Sequence, residues 1–251
     1  MKKEMELFEA EFAKLLSSNT FPMDDVLRYV AGAKGKRLRP MLVFLTAKLF
    51  GEINDTSRHT ALFVELLHTA TLIHDDVVDD SDKRRGQASV NAHWNNATAV
   101  LTGDYLLSKA MLQLIDPTSS PILKEMLSTT MAMSEGELMQ NAEFGIRNSE
   151  LYLNIIERKT ARLMKACCVG GALSVGATDE QVTKVGEFGL NYGMVFQMRD
   201  DILDADNSET TALAKQLLPA YLDRTSKALD ALKPMSKNAS AWETLRALTL
   251  F

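Results

Sequence analysis

Cysteine is nearly absent from this chain: there are two among 251 residues, Cys167 and Cys168, and they are adjacent. Neighbours on a helix point in different directions, so a bond between them is geometrically poor. That excludes a disulfide scaffold. Two buried thiols acting as small apolar residues suit a reducing compartment, and the cytoplasm is the expected location. Long hydrophobic runs are missing too. The most apolar short run, Pro40–Phe50, falls far below the roughly 20 residues that cross a bilayer, so no transmembrane segment is expected. Met1–Leu16 mixes acidic, basic and apolar residues in an amphipathic helix pattern and lacks the apolar core of a signal peptide. Repeats, low-complexity tracts and Pro-rich linkers are absent, and β-branched alternating runs are scarce. Basic excess is lacking as well: the net charge is -5, which argues against a general nucleic-acid binder.

What is there is an ordinary globular composition, 46% hydrophobic and 24% charged, long enough to bury a core without staples. Helical periodicity dominates. A long pattern from about Ser57 to Asp79 carries Leu62, Leu66, Ala70, Ile73 and Val77 on one stripe. Pro40 sits near a helix start and Gly51 closes that segment. Asp80–Gln87 reads as a polar loop. Helices are expected over Ala97–Ile115, Pro121–Phe144, Glu150–Cys168 and Asp179–Asp204. After a polar break at Asn207–Thr211, they follow over Ala212–Leu232 and in a short tail ending at Phe251. The expected fold is all-α, one domain spanning 1–251, a bundle of about ten helices around a central cavity.

Two acidic clusters stand out. His74-Asp75-Asp76-Val77-Val78-Asp79-Asp80 ends the strongest amphipathic helix, and Arg199-Asp200-Asp201-Ile202-Leu203-Asp204 ends another. Both carry the spacing DDxxD. Carboxylates four residues apart share a helix face and repel by about 0.2–0.5 kcal/mol even when exposed. In a low-dielectric pocket the cost rises, so a positive charge belongs between them. Magnesium takes a few carboxylates, water and substrate phosphate. Two such clusters facing across a cavity can therefore clamp a phosphate-bearing ligand through metal.

Two basic blocks complement them: Gly35-Lys36-Arg37-Leu38-Arg39-Pro40, and Lys83-Arg84-Arg85-Gly86 directly after the first acidic cluster. The planar fork of arginine donates two bonds at once to a diphosphate.

Taken together, GKRLRP at 35–40, HxxxxxxDDxxD at 68–79, RRG at 84–86, Lys159-Thr160 and FQxxDDxxD at 196–204 resemble the trans-polyprenyl diphosphate synthases. The resemblance runs in order from about residue 25 to 206. It implies an all-α homodimer with a cavity inside each subunit, and a prenyltransferase joining isopentenyl diphosphate to an allylic diphosphate such as farnesyl diphosphate. It also implies roles. Asp75, Asp76, Asp79, Asp200, Asp201 and Asp204 would bind the allylic diphosphate through about three magnesium ions, with Arg84 touching the same group. Lys36, Arg39, His68 and Arg85 match the positions that hold isopentenyl diphosphate, and Phe196 the aromatic lining that site. Lys159, Thr160 and Gln197 match residues near the allylic diphosphate and the developing cation.

Within that resemblance, bulky aromatics at the positions of Ala70 and Thr71 mark short-chain members. Both residues are small here, so a tunnel continuing downward and a long-chain product, of the class that supplies quinone side chains, are expected. Leu66, Leu67, Met131 or Met133 would set a lower floor. A short-chain farnesyl or geranylgeranyl synthase is the alternative. Terpene cyclases and squalene-type synthases carry different acidic motifs and do not need the basic blocks. The sequence departs from the family after Asp204, where a Gly-Lys pair and a Lys-Thr segment are missing. That departure keeps open a non-catalytic subunit of a heteromeric synthase.

Overall fold

The computed structural model describes all residues except 34, 142–147, 205–207 and 251. Helices α1 (Lys2–Leu15), α2 (Met23–Gly32), α3 (Leu38–Phe50) and α4 (Asp55–Val78) come first. A two-stranded ribbon, β1 (Lys83–Arg84) and β2 (Gln87–Ala88), follows. Then come α5 (Val90–His93), α6 (Asn96–Leu112), α7 (Ser120–Gln140), α8 (Ser149–Ile156), α9 (Arg162–Ser174), α10 (Asp179–Asp204), α11 (Ser208–Leu232) and α12 (Ala239–Thr249). The all-α expectation holds, with more and shorter pieces than the sequence suggests.

The core lies where α3, α4 and α9 cross. Leu42–Ala47 of α3 are all buried, as are Ala61–Leu67 of α4 and Ala166–Ala172 of α9. Burying one such leucine side chain contributes about 1.5–3 kcal/mol. Gly171 lets α9 approach α3 so closely that a Cβ there would collide with the Val43 carbonyl.

Helix α4 starts two residues before the periodicity suggests, because Asn54 caps it. The Asn54 side chain accepts from the Ser57 amide at 2.9 Å, and the Ser57 hydroxyl returns to the Asn54 amide. Such a cap contributes about 1 kcal/mol.

Several boundaries differ from the sequence reading: α6 ends at Leu112, three residues short of Ile115, and α9 runs on to Ser174, six past Cys168. The polar stretch before Gln87 is a tight hairpin rather than a plain loop. Lys83 pairs with Ala88 and Arg84 with Gln87, and the intervening Arg85 and Gly86 have φ of 51° and 82°. That is the twist a two-residue hairpin turn requires. Ser208–Thr211 opens α11 instead of breaking the chain, while Asn207 lies outside the described residues. Helix α7 ends at Gln140, and the expected extension to Phe144 falls outside them, as does Phe251. Glu150–Cys168 is continuous but contains a π-helical stretch, Glu157–Ala161, which runs into α9. Among the described residues, no helix is long and apolar enough to cross a membrane.

Candidate active site

A cavity of about 630 Å³ opens between the end of α4, the start of α3, the hairpin, α7, the π-helical stretch and α10. Its lining includes Lys36, Arg39, His68, Thr71, Asp75, Asp79, Arg84, Arg85, Lys159, Thr160, Phe196, Gln197 and Asp200. Residues chosen from scattered sequence positions thus meet in one hollow. Asp75 and Asp200, from different helices, share it.

Not every chosen residue faces that space. Asp76 is 2% exposed and does not line the cavity. It accepts from Arg84 Nε at 2.8 Å and from Arg84 Nη2. The reason is helical geometry: consecutive residues diverge, whereas Asp75 and Asp79 share a face. Asp201 is likewise turned aside. It accepts from the Tyr152 hydroxyl at 2.6 Å and from Gln197 Nε2 at 2.9 Å. Asp204, the last residue of α10, is exposed and is not part of the cavity lining. Ala70 is 1% exposed inside the core, and only its neighbour Thr71 reaches the cavity. Met131 is 68% exposed on the outside of α7, whereas Met133 lines the hollow. Leu66 and Leu67 are buried core residues off the lining.

The acidic side of the cavity is electrostatically strained. Burial, with Glu137 and Asp79 as like charges, pushes the Asp75 carboxyl up to about 6, against the pull of Lys159 and Arg84. Asp200 is raised by burial and by Asp204 and Asp201, opposed by Lys36 and Arg39. Among the described residues, no three His, Cys, Asp or Glu side chains gather into a self-sufficient metal cage. Isolated carboxylate oxygens facing a cationic wall fit a hard divalent ion completed by water and a phosphate-bearing substrate.

The basic side is built for an anion. Arg39 is half-buried and lines the cavity, and its Nε, itself shielded from solvent, has no hydrogen-bond partner. Its Nη1 stands 2.9 Å from His68 Nε2. Burial, then Arg39, Arg85 and Arg84, hold His68 well below its ordinary value. The ring is therefore neutral and can accept from the guanidinium. An unmade bond on a shielded guanidinium nitrogen costs about 1–3 kcal/mol or more.

Three hydrogen bonds set the far wall. The Thr160 hydroxyl donates to Gln197 Oε1 at 2.7 Å, and the Gln197 amide donates to Asp201, which also holds the Tyr152 hydroxyl. Lys159 Nζ pairs with Glu137 at 2.7 Å. The π-helical turn that presents Lys159 and Thr160 is tightly seated. A Cβ on Gly136 would stand 2.8 Å from the Lys159 amide, and one on Gly193 2.5 Å from Ala161 Cα. Single π-turns inside α-helices often mark functional sites.

Sequence reasoning missed Glu65, Glu137 and Tyr152. Glu65 and His68 form the chain's one Glu-x-x-His pair, the unit two of which build a di-iron bundle. Here Glu65 faces arginine instead.

The helical bundle and its cavity, lined by both carboxylates and cations, define an isoprenoid-synthase-type fold. The chain matches the Polyprenyl synthetase family over residues 22–218, and it belongs to that family. It is 39% identical over 205 residues to the all-trans-nonaprenyl-diphosphate synthase (geranyl-diphosphate specific) of Rhodobacter capsulatus, covering 80% of this chain and 62% of the relative. It is 36% identical over 215 residues to heptaprenyl diphosphate synthase component 2 of Geobacillus stearothermophilus, covering 83% of this chain and 66% of that protein. The chain thus spans less than two thirds of the length of either relative. A polyprenyl synthase from Caulobacter crescentus, solved in complex with calcium and isoprenyl diphosphate, superposes with a TM-score of 0.86 at 27% identity. The match covers 99% of this chain and 93% of that one.

Proposed function

We propose that this chain is a single-domain prenyltransferase that condenses isopentenyl diphosphate with an allylic diphosphate to make a long-chain all-trans polyprenyl diphosphate. The observation that carries this reading is that Arg39, Asp75 and Asp200, from three different helices, line one cavity. A cation and two carboxylates in one cavity call for two differently held diphosphates, one direct and one through metal.

Asp75, Asp79 and Asp200 are the carboxylates placed to hold magnesium with the allylic diphosphate. Asp204 is near enough to Asp200 to raise its carboxyl and joins them at the rim, while Asp76 and Asp201 act by fixing Arg84 and Gln197. When bound, magnesium supplies positive charge against the leaving diphosphate. Arg84 and Lys159 add fixed charge at the same group, lowering the barrier to an allylic cation. Lys36, Arg39, His68 and Arg85 hold isopentenyl diphosphate with its double bond toward that cation. Phe196 lines its site. The Thr160 hydroxyl and Gln197 carbonyl dipoles face the developing charge. The double bond attacks, and the released diphosphate takes the proton that is lost. Thr71, Leu72 and Met133 form apolar walls that keep water from the cation.

The long-chain product rests on small Thr71 and on the names of the relatives. Exposed Leu101, Leu112, Met131 and Leu138 on α6 and α7 support a homodimer, since apolar surface of that kind seeks cover. Two free, buried thiols suit the cytoplasm. Incubation with radiolabelled isopentenyl diphosphate, farnesyl diphosphate and magnesium tests the activity, and chromatography of the dephosphorylated products reads their length. A second reading, one subunit of a two-part synthase, draws on the relatives named component 2. No extension product from the purified chain alone would favour it.

A further inference from the structure

Glu65 is a carboxylate buried in an apolar stretch of α4. It is 2% exposed, between the wholly buried Val64 and Leu66. A buried charge is costly unless paired. Its partner is Arg37, whose Nη1 donates to Glu65 at 2.6 Å. Arg37 is anchored twice more: Nε donates to Glu9 of α1 at 2.9 Å, and the guanidinium lies 4.7 Å over the Phe12 ring. These three anchors hold Arg37 at φ 51° as the cap of α3, a left-handed conformation that a non-glycine side chain rarely adopts. On either side of that turn, Lys36 and Arg39 line the cavity, and Arg37 and Glu65, tied to each other, border it between them. Glu65 also lies three residues before His68, so both share a face of α4. The pairs Arg37–Glu65 and Arg39–His68 thus tie the start of α3 to α4 at two adjacent points.

Charge sorting points the same way. Arg37 is committed to Glu65 and Glu9, and Arg84 to Asp76. Among the described residues, Lys36, Arg39 and Arg85 have no carboxylate within salt-bridge distance, which leaves them for a ligand. Arg39 and Arg85 repel each other, and the Glu65 charge favours both.

We propose that Glu65 and Arg37 form a positioning pair for the isopentenyl diphosphate subsite. The buried carboxylate fixes Arg37, Arg37 fixes the left-handed turn, and the turn aims Lys36 and Arg39 at the diphosphate before it arrives. The inference rests on the reading of the cavity given above. It adds that α1, through Glu9, reaches the substrate site.

The test is steady-state kinetics of Glu65→Gln, Arg37→Gln and the double variant, with calorimetric binding of isopentenyl diphosphate. Each single variant should raise KM for isopentenyl diphosphate about tenfold while changing KM for farnesyl diphosphate less than about twofold. The double variant should be no worse than the poorer single one, because the two act as a unit. Glu9→Gln, at the exposed outer end, carries little folding risk and should raise the same KM about two- to threefold. An unchanged or lowered KM in Glu65→Gln overturns the proposal. So does a loss in Arg37→Gln alone, which would make Arg37 a direct ligand, or an equal rise in both KM values. Wild-type chain that binds no isopentenyl diphosphate overturns the reading of the cavity itself, and this inference with it.

Discussion

Lys159 Nζ lies 2.7 Å from the Glu137 carboxylate, and Glu137 is the foremost like charge acting on Asp75. One lysine therefore stands beside both an acid that holds it and an acid proposed to hold metal. An incoming diphosphate competes with Glu137 for it. Lys159→Ala should lower kcat about 100-fold, the scale of losing one donor to a developing anion, with melting temperature changed by only a few degrees. Single-turnover kinetics beside a thermal melt would show it. A kcat within threefold of wild type would remove Lys159 from the chemistry.

His68 predicts how stability responds to acid. Its folded value lies well below the ordinary 6.5, from burial and then the surrounding arginines. The unfolded chain therefore takes up a proton near pH 6.5 that the folded chain refuses. Stability is lost as pH falls below that value, by about 1.4 kcal/mol per unit. His68→Gln removes this one contribution. Urea melts at pH 7.5 and 5.5 should show a smaller acid loss in the variant, by about 1.4 kcal/mol. Identical losses in the two proteins would mean that His68 is free to protonate in the fold.

The acidic and basic motifs were legible because their spacing has few other uses: carboxylates at i and i+4 on an apolar helix demand a counter-charge. Which aspartates face the cavity was not legible, because DDxxD does not say how the helix is rotated. Asp76 and Asp201 fell to neighbouring partners, Arg84 and Tyr152. Glu65 hid as one acid in a leucine-rich stripe, and its partner Arg37 looked like one more cation in a basic block. The hairpin at Arg85-Gly86 was hidden by a non-glycine residue at positive φ, for which composition gives no cue. The π-helical turn at Lys159 depends on the close seat beside Gly136 and Gly193, a long-range contact that no local pattern records.

Cys167 and Cys168 are fully buried. Burial pushes the Cys167 thiol up to about 12, partly opposed by Arg39, and raises Cys168 well above its usual range. Thiolate is the reactive form. Ellman's reagent at pH 8 should titrate no thiol promptly in the native protein and both in urea. Prompt reaction of either in the native state would mean that α9 is not packed against α3 and α10 as described.

Ala70 and Thr71, both small residues on the helix that bears Asp75, part company in the fold. Ala70 and Thr71 are adjacent on α4, so they diverge by about 100° around the helix. Ala70 points into the packed core, whereas Thr71 lines the cavity with Leu72 and Met133. A phenylalanine at each position should therefore fail differently. Thr71→Phe places its ring across the apolar end of the cavity, where a growing chain would pass, and should shorten the product with little loss of stability. Ala70→Phe forces a ring into space already filled and should destabilise the fold by about 1–3 kcal/mol, altering product length only through that disturbance. Chromatography of products from both variants, beside urea melts, distinguishes the two. If Ala70→Phe shortened the product at undiminished stability while Thr71→Phe left it unchanged, the growing chain would run along the other face of α4.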